Sequence, residues 1–351
     1  MNRGKPQKYD QLAEQILDSI RSAGLAPGAK LPSERETARR FSCNHLTVRK
    51  ALRLLADRGE IHSLPGRGSF LGPAGGPERQ ERRCDRIGFI FPDDEIFYYR
   101  IFAEVERMAA SNGLHPVVHL TGGSVRKENE LLDYFEHSGV PALIAVPNRF
   151  CAEHYRKLRI PVLFFDMRLP ELSIPQIISD DYSGALAATE QLIQLGHTRI
   201  AHIGSEYDFT GEQRLNGYLD AFRKYGITPQ ESLIRMRYPS REWGYHAIRE
   251  LFALKQPPSA VFCANDTIAA GVVNFCADRK IIIPDQLSVT GFGDTPTAEY
   301  LNLNSVSQNA GKISGAICSN LLRLLNHEPV PPLTVIPTSC IVRKSAAAFY
   351  S

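Results

Sequence analysis

Four polar residues crowd the start of one helical stretch: Asn44, His45, Thr47 and Arg49 fall in the first turn of a segment running to Arg58. Such side chains suit base-pair edges, which ask for donors, acceptors and a cationic fork onto guanine. Arg35 opens the preceding helical stretch, a place from which a guanidinium reaches a phosphate or a guanine. Gly66-Arg67-Gly68 makes a turn in which glycine lets backbone come close to a partner and Arg67 can enter a narrow minor groove. The plain alternative for any one arginine is a solvated helix face; Arg39 and Arg53 are read that way, Arg35 and Arg49 as contacts. Enzymatic motifs are missing, with no G-x-S-x-G, H-E-x-x-H or phosphate loop. His197 and His202 flank a strand and read as core or surface groups rather than as a metal pair. Seven cysteines (Cys43, Cys84, Cys151, Cys263, Cys276, Cys318 and Cys340) are scattered without a C-x-x-C pair. Neither a zinc site nor a disulfide framework is expected, and a reducing cytoplasm is the expected location. No catalytic residue, metal or cofactor is expected.

The elements that position the first set are short. Leu12, Ile16 and Ile20 repeat at four-residue spacing within Tyr9 to Ala23, giving one helix that Gly24, Pro27 and Gly28 end. Ser33 and Glu36 form a capping box that starts a second helix reaching about Phe41, with Ala38 and Phe41 facing inward. Asn44 caps a third from His45 to Arg58, with Val48, Leu52 and Leu55 as its buried stripe. Ile61 to Leu71 reads as a β-hairpin. Helix, helix, turn, helix and hairpin make a helix-turn-helix with a wing, whose third helix would lie in a DNA major groove. Charge agrees: residues 1–83 hold 16 Lys/Arg against 9 Asp/Glu, whereas 84–351 hold 25 against 29. A basic head on a mildly acidic body fits a head that meets a polyanion.

The run LPSERETARRFSCNHLTVRKALRLLADRGEIHSLPGRGSFLG resembles the N-terminal domain of GntR-type winged-helix repressors over residues 9–71. The resemblance implies DNA contacts at Arg35, Asn44, His45, Thr47, Arg49, Gly66 and Arg67. One departure is His45-Leu46, where the family usually has Arg then Thr.

Beyond this head, residues 72–84 (Gly72-Pro73-Ala74-Gly75-Gly76-Pro77, then a charged run) read as a flexible tether. From residue 85 to 351, short apolar strands alternate with helical stretches: Arg86 to Phe91, Pro116 to Leu120, Ala142 to Val146, Pro161 to Phe165, Arg199 to Ile203, Ala260 to Cys263 and Leu287 to Gly291 are the strands. One intervening helix is expected from Tyr99 to Asn112, with Phe102, Val105, Met108 and Ala109 inward. The alternation implies parallel sheets with helices on both faces, in two lobes because the span is long for one sheet. This body resembles the effector domain of the lac-repressor and galactose-repressor family, through RIGFIFP, IPVLFFD, IISDDYSGALAATEQLIQLGHTRIAHIG, RLNGYLDAF, AVFCANDTIAAG and LSVTGFGDTPTAEYLNLNSVSQ. The resemblance implies two lobes joined by three crossings, near Ile178, near Ser307 and at the start of the last strand, with a ligand between them. A winged head on such a body is the layout of AraR-type arabinose repressors.

A sugar needs fixed donors and acceptors around its hydroxyls and an apolar wall for its C–H faces. Asp166, ending a strand, is a candidate acceptor or a loop cap; Arg214 is a candidate fork onto vicinal oxygens or an interlobe salt bridge. Asn265 offers both a donor and an acceptor, while Asp266 beside it is expected to cap the next helix. Gln308 is a ligand contact or a hinge; Phe97 and Tyr98 form a wall or belong to the core; Trp243 is a further wall candidate whose helical neighbourhood favours packing. The family usually places Asp where Gly293 stands, and Asp294 is the candidate to compensate.

The expected fold is multidomain: an α+β winged helix-turn-helix over residues 1–71, a linker over 72–84 and a two-lobed, periplasmic-binding-protein-like α/β domain over 85–351. The expected protein is a DNA-binding regulator, a repressor under control of a carbohydrate effector, acting on double-stranded operator DNA as a homodimer. Its alternatives are a sugar-binding transport component and an α/β enzyme. No run of about 18 apolar residues occurs, so no membrane helix is expected, and the N-terminus lacks the apolar stretch of a secretory signal.

Overall fold

Leu12, Ile16, Leu17 and Ile20 bury one face of α1 (Lys8–Ser22), as their spacing requires. The capping box forms at α2 (Glu34–Arg40): the Glu36 amide donates to Ser33 Oγ, and the Ser33 amide donates to the Glu36 carboxylate at 2.7 Å. In α2 the fully buried side chain is Thr37, while Ala38 and Phe41 pack at the border of the core. Asn44 caps α3 (His45–Asp57), which buries Val48, Ala51, Leu52 and Leu55. Strands β1 (Ile61–Leu64) and β2 (Gly68–Leu71) pair antiparallel, with Ile61 opposite Leu71.

In this computed structural model the chain divides into two compact units, Met1–Arg83 and Cys84–Ser351. The structure describes residues 8–23, 25, 28–64, 68–72, 85–206 and 209–349. Gly66, Arg67 and all of the 72–84 stretch except Gly72 lie outside the described residues.

The second unit holds two six-stranded sheets. The first sheet contains β3 (Arg86–Phe91), β4 (His115–Leu120), β5 (Leu143–Ala145), β6 (Val162–Phe165), β7 (Gln176–Ser179) and β13 (Leu333–Ile336), in the order β13-β7-β6-β5-β3-β4. The second contains β8 (Ile200–Ser205), β9 (Ile234–Arg237), β10 (Ala260–Cys263), β11 (Ser288–Gly293), β12 (Asn304–Ser307) and β14 (Ser339–Ile341), in the order β14-β12-β11-β10-β8-β9. Every pairing is parallel except β12 with β14. The central strands are apolar on both faces, because helices cover both: β3 is buried from Ile87 to Phe91 and β10 throughout. The chain passes between the sheets three times: after β7, after β12, and between β13 and β14.

Helices α4 (Ile96–Ala110), α5 (Val125–Ser138), α6 (Ala152–Tyr155) and α12 (Ala310–Leu325) serve the first lobe. The second uses α7 (Asp181–Gln194), α8 (Phe209–Lys224), α9 (Arg241–Phe252) and α10 (Asp266–Arg279), followed by the short α11 (Pro296–Tyr300). Two expectations need correction. Helix α4 starts three residues before Tyr99, so Phe97 and Tyr98 are helical; and Met108 is exposed, because Ile101, Val105 and Ala109 already complete the buried stripe. Helix α12 and strands β7, β9, β12, β13 and β14 are additional elements.

Candidate functional sites

The exposed residues of α3 include Leu46, Arg49, Lys50 and Arg53, which share one face at helical spacing. Asn44 Oδ1 accepts from both the Thr47 amide and the Thr47 hydroxyl, at 2.7 Å each, so these two residues first fix the helix start. Glu34 then ties the first turn of α3 to α2. Its carboxylate accepts from Arg49 Nε at 3.3 Å and Nη2 at 3.1 Å, and lies 2.7 Å from His45 Nε2. That fork uses two of the five guanidinium donors of Arg49. Arg35 stands exposed at the start of α2. Thus Arg35, Asn44, His45, Thr47 and Arg49 gather around the α2–α3 corner, while Gly66 and Arg67 lie outside the described residues.

In the second unit, a cavity of about 310 Å³ opens between the lobes, and Tyr98, Asp166, Arg214, Asn265, Phe292 and Gln308 are among its lining residues. Asp166 follows β6 with φ +65°, a left-handed backbone that aspartate tolerates. Its carboxylate accepts from the Tyr98 hydroxyl at 3.0 Å and from Gln308 Nε2 at 3.4 Å. Gln308 also donates to Ser179 Oγ at 3.0 Å, so it links the first two crossings. Tyr98 therefore meets the cavity as a polar group, whereas Phe97 touches it from within the core. The guanidinium carbon of Arg214 stands over the Phe292 ring, 3.9 Å from its centroid, and Arg214 donates to the Ala264 carbonyl at 2.6 Å. Its salt bridge is to Asp181 at 2.7 Å, within the second lobe rather than across the lobes.

Asn265 lines the cavity as expected but also takes the capping role expected of Asp266. Asn265 Oδ1 accepts from the Ile268 amide and caps α10, leaving its amide nitrogen for the cavity it lines. Asp266 is buried and accepts from Thr295 N, Thr295 Oγ1 and Ser305 Oγ within 2.9 Å. Burial pushes its carboxyl up to about 6. A Cβ at Gly291 would stand 2.2 Å from Asp266 Oδ1, so glycine there makes room for this carboxylate. Gly293 has φ +120°, and a Cβ on it would lie 3.9 Å from Gln308 Oε1, beside the cavity. Asp294 does not take the place of the missing carboxylate: it binds Arg343 Nη2 at 2.7 Å and is not among the cavity-lining residues. Trp243 packs in the core and donates to the Gly204 carbonyl, as its helical setting suggested.

Sequence reasoning missed the bonds that join the lobes beside the cavity. Thr267 donates to Glu95 at 3.0 Å, Tyr238 donates to Asp93 at 2.9 Å, and Arg100 donates to the Asp294 carbonyl at 2.7 Å. Burial lifts Glu95 to about 7. These partners lie 145 to 194 residues apart, and no local pattern announces them. His197 and His202 are structural: His197 sits within 3.0 Å of Ser259 and Ser288, and His202 is held at the Phe262 carbonyl with burial lowering it to about 4. Among the described residues, no group of three or more His, Cys, Asp or Glu side chains is placed to hold a metal, and no helix is long and apolar enough to cross a membrane.

Comparison with known proteins finds one family match inside each compact unit. Residues 8–71 match the bacterial regulatory proteins of the gntR family, and residues 189–346 match a periplasmic binding protein-like domain. The arabinose metabolism transcriptional repressor of Geobacillus stearothermophilus is 26% identical, over 96% of this chain and 97% of its own length. The ribose operon repressor of Haemophilus influenzae is 28% identical, over 71% of this chain and 77% of its own. The crystal structure of the transcription regulator CcpA of Lactococcus lactis superposes with a TM-score of 0.70 at 21% identity, covering 74% of this chain and 98% of that one. That likeness supports the two-lobed fold.

Proposed function

We propose that this chain, which joins a gntR-family regulatory domain to a periplasmic binding protein-like domain, is a sequence-specific DNA-binding transcriptional regulator: a repressor controlled by a small carbohydrate. Residues 1–71 read the operator, 72–84 tether, and 85–351 bind the effector and pair two copies. It works in the cytoplasm and turns over no substrate. The observation that carries this reading is the convergence of Asp166, Arg214, Asn265 and Gln308 on one interlobe cavity, in a chain whose other unit presents a cationic helix face. Asp166 belongs to the first lobe, Arg214 and Asn265 to the second, and Gln308 to a crossing, so one ligand bonded to all four favours one interlobe angle. A ligand moves the equilibrium only through such a preference. In a homodimer the angle sets the separation of two α3 helices, which must be about 34 Å to meet adjacent half-sites.

The charge of the cleft favours an uncharged polyol. Arg214 is already paired with Asp181, and Asp93, Glu95, Asp166 and Glu206 also line the cavity. Among the described residues the other cation on the lining, Arg149, is exposed, so a phosphate or carboxylate would meet these acceptors without a buried cation of its own. The relatives named for arabinose and ribose repression point to the same class. The test is a thermal-shift screen of arabinose, ribose and their phosphates, followed by retardation of operator DNA selected with the full chain. A true effector at a hundredfold excess over its Kd raises stability by about 2.7 kcal/mol. Failure to retard any selected duplex, with or without sugar, sinks the reading.

A further inference from the structure

Leu46 stands out on the α3 face. It is 66% exposed, while the apolar stripe of the helix (Val48, Ala51, Leu52 and Leu55) is buried without it. Its neighbours on that exposed face are three cations, Arg49, Lys50 and Arg53. A leucine in such a stripe gains nothing in water, and among the described residues it is not part of the buried cluster of its unit. The polar side chains around it are held: Asn44 and Thr47 bond each other, and Glu34 engages both His45 and Arg49. Leu46 is thus the exposed apolar group of the helix's first turn, between polar neighbours that already bond one another.

We propose that Leu46 is a specificity-determining residue that selects a thymine in each operator half-site through the C5-methyl group. The inference rests on the DNA-reading role proposed above. The reason is chemical: of the groups that base pairs display in the major groove, the thymine methyl is the apolar one, and the rest are donors and acceptors. Facing a cytosine amino group or a guanine carbonyl, the isobutyl group strips water and returns no hydrogen bond, which penalises those bases. Leu46 therefore attracts one base and excludes others, a discrimination that contacts to phosphates do not supply.

The experiment removes one methyl at a time. Operator duplexes are selected from a random library with the full chain, and each thymine of the selected site is then replaced singly by uracil. Wild-type protein should lose about three- to fivefold in affinity at one thymine per half-site, the value of one buried methyl-sized group. Leu46→Ala, which should keep the thermal midpoint because the side chain is exposed, should bind the thymine and uracil duplexes equally. Uniform affinity of wild type across all uracil duplexes overturns the proposal, as does an undiminished uracil effect in Leu46→Ala. If the library yields no bound duplex, the DNA-reading role itself fails, a result distinct from either of these.

Discussion

Two arginine–carboxylate pairs mark the two working regions of this molecule, and they differ in one respect above all. In Arg49–Glu34, on the α3 face, the side chains are 61% and 35% exposed; in Arg214–Asp181, at the cleft, they are 9% and 0% exposed. The first pair stands in water, where an ion pair contributes at most about 1 kcal/mol, so its members are free to exchange partners when DNA arrives. The second has been desolvated during folding, and each charge depends on the other. The reader is therefore a surface assembled loosely around Glu34, whereas the cleft is a preorganised polar network that a ligand joins.

The contrast is sharpened by removing each arginine. Arg214→Ala leaves Asp181 buried without its cation, and the second unit should lose about 3–5 kcal/mol in chemical denaturation. The response of the DNA complex to effector should vanish with it, while DNA affinity without effector stays unchanged. A loss below about 1 kcal/mol would place Arg214 with the exposed pairs and erase the distinction. Arg49→Ala should do the reverse: the unfolding midpoint holds, and affinity for the selected operator falls by about 1–3 kcal/mol if the guanidinium forks onto a base. An equal fall on random DNA would instead make Arg49 a phosphate contact.

A smaller effect is a pH dependence within the second unit. Burial raises Glu95 from 4.5 to about 7. Between those values the folded chain keeps a proton that the unfolded chain has released, so stability falls as pH rises from about 4.5 to 7, by at most about 1.4 kcal/mol per pH unit. His202 acts oppositely, since burial lowers it to about 4 and its contribution is lost as pH falls from 6.5 towards that value. The difference between wild type and Glu95→Gln isolates the first effect. The stability advantage of wild type over Glu95→Gln should shrink as pH rises through that window; parallel profiles would show that the Glu95–Thr267 link carries no proton.

The two regions also differed in how plainly they could be read from sequence. The head was legible nearly to the residue, because capping boxes, N-caps and a four-residue apolar repeat are local signals: Ser33 with Glu36 and Asn44 with Thr47 act within one turn. The cleft was legible at strand ends, where Asp166 and Asn265 meet the cavity. What failed there was orientation. Nothing local tells which of Asn265 and Asp266 caps α10, and Asp266 is drawn away from that role by Thr295 and Ser305, which the chain brings from far away. Asp294 failed for the same reason, its partner Arg343 being 49 residues distant. Helix α12 carried a readable repeat, Ile313, Ile317 and Leu321. Strands β7 and β12 did not, being four residues long with polar ends, and β14 did not, being only three residues long.

The central claim is that occupancy of the cleft governs the hold of the reader on DNA. It is tested most directly by fluorescence anisotropy of the full chain on its selected, labelled operator, titrated with arabinose, ribose and whichever other neutral sugar the thermal screen identifies. Wild type should change its operator affinity at least tenfold at saturating effector, and Asp166→Asn, still folded and still DNA-binding, should change little at the same concentration. An operator affinity that stays constant while the sugar demonstrably binds would contradict the account.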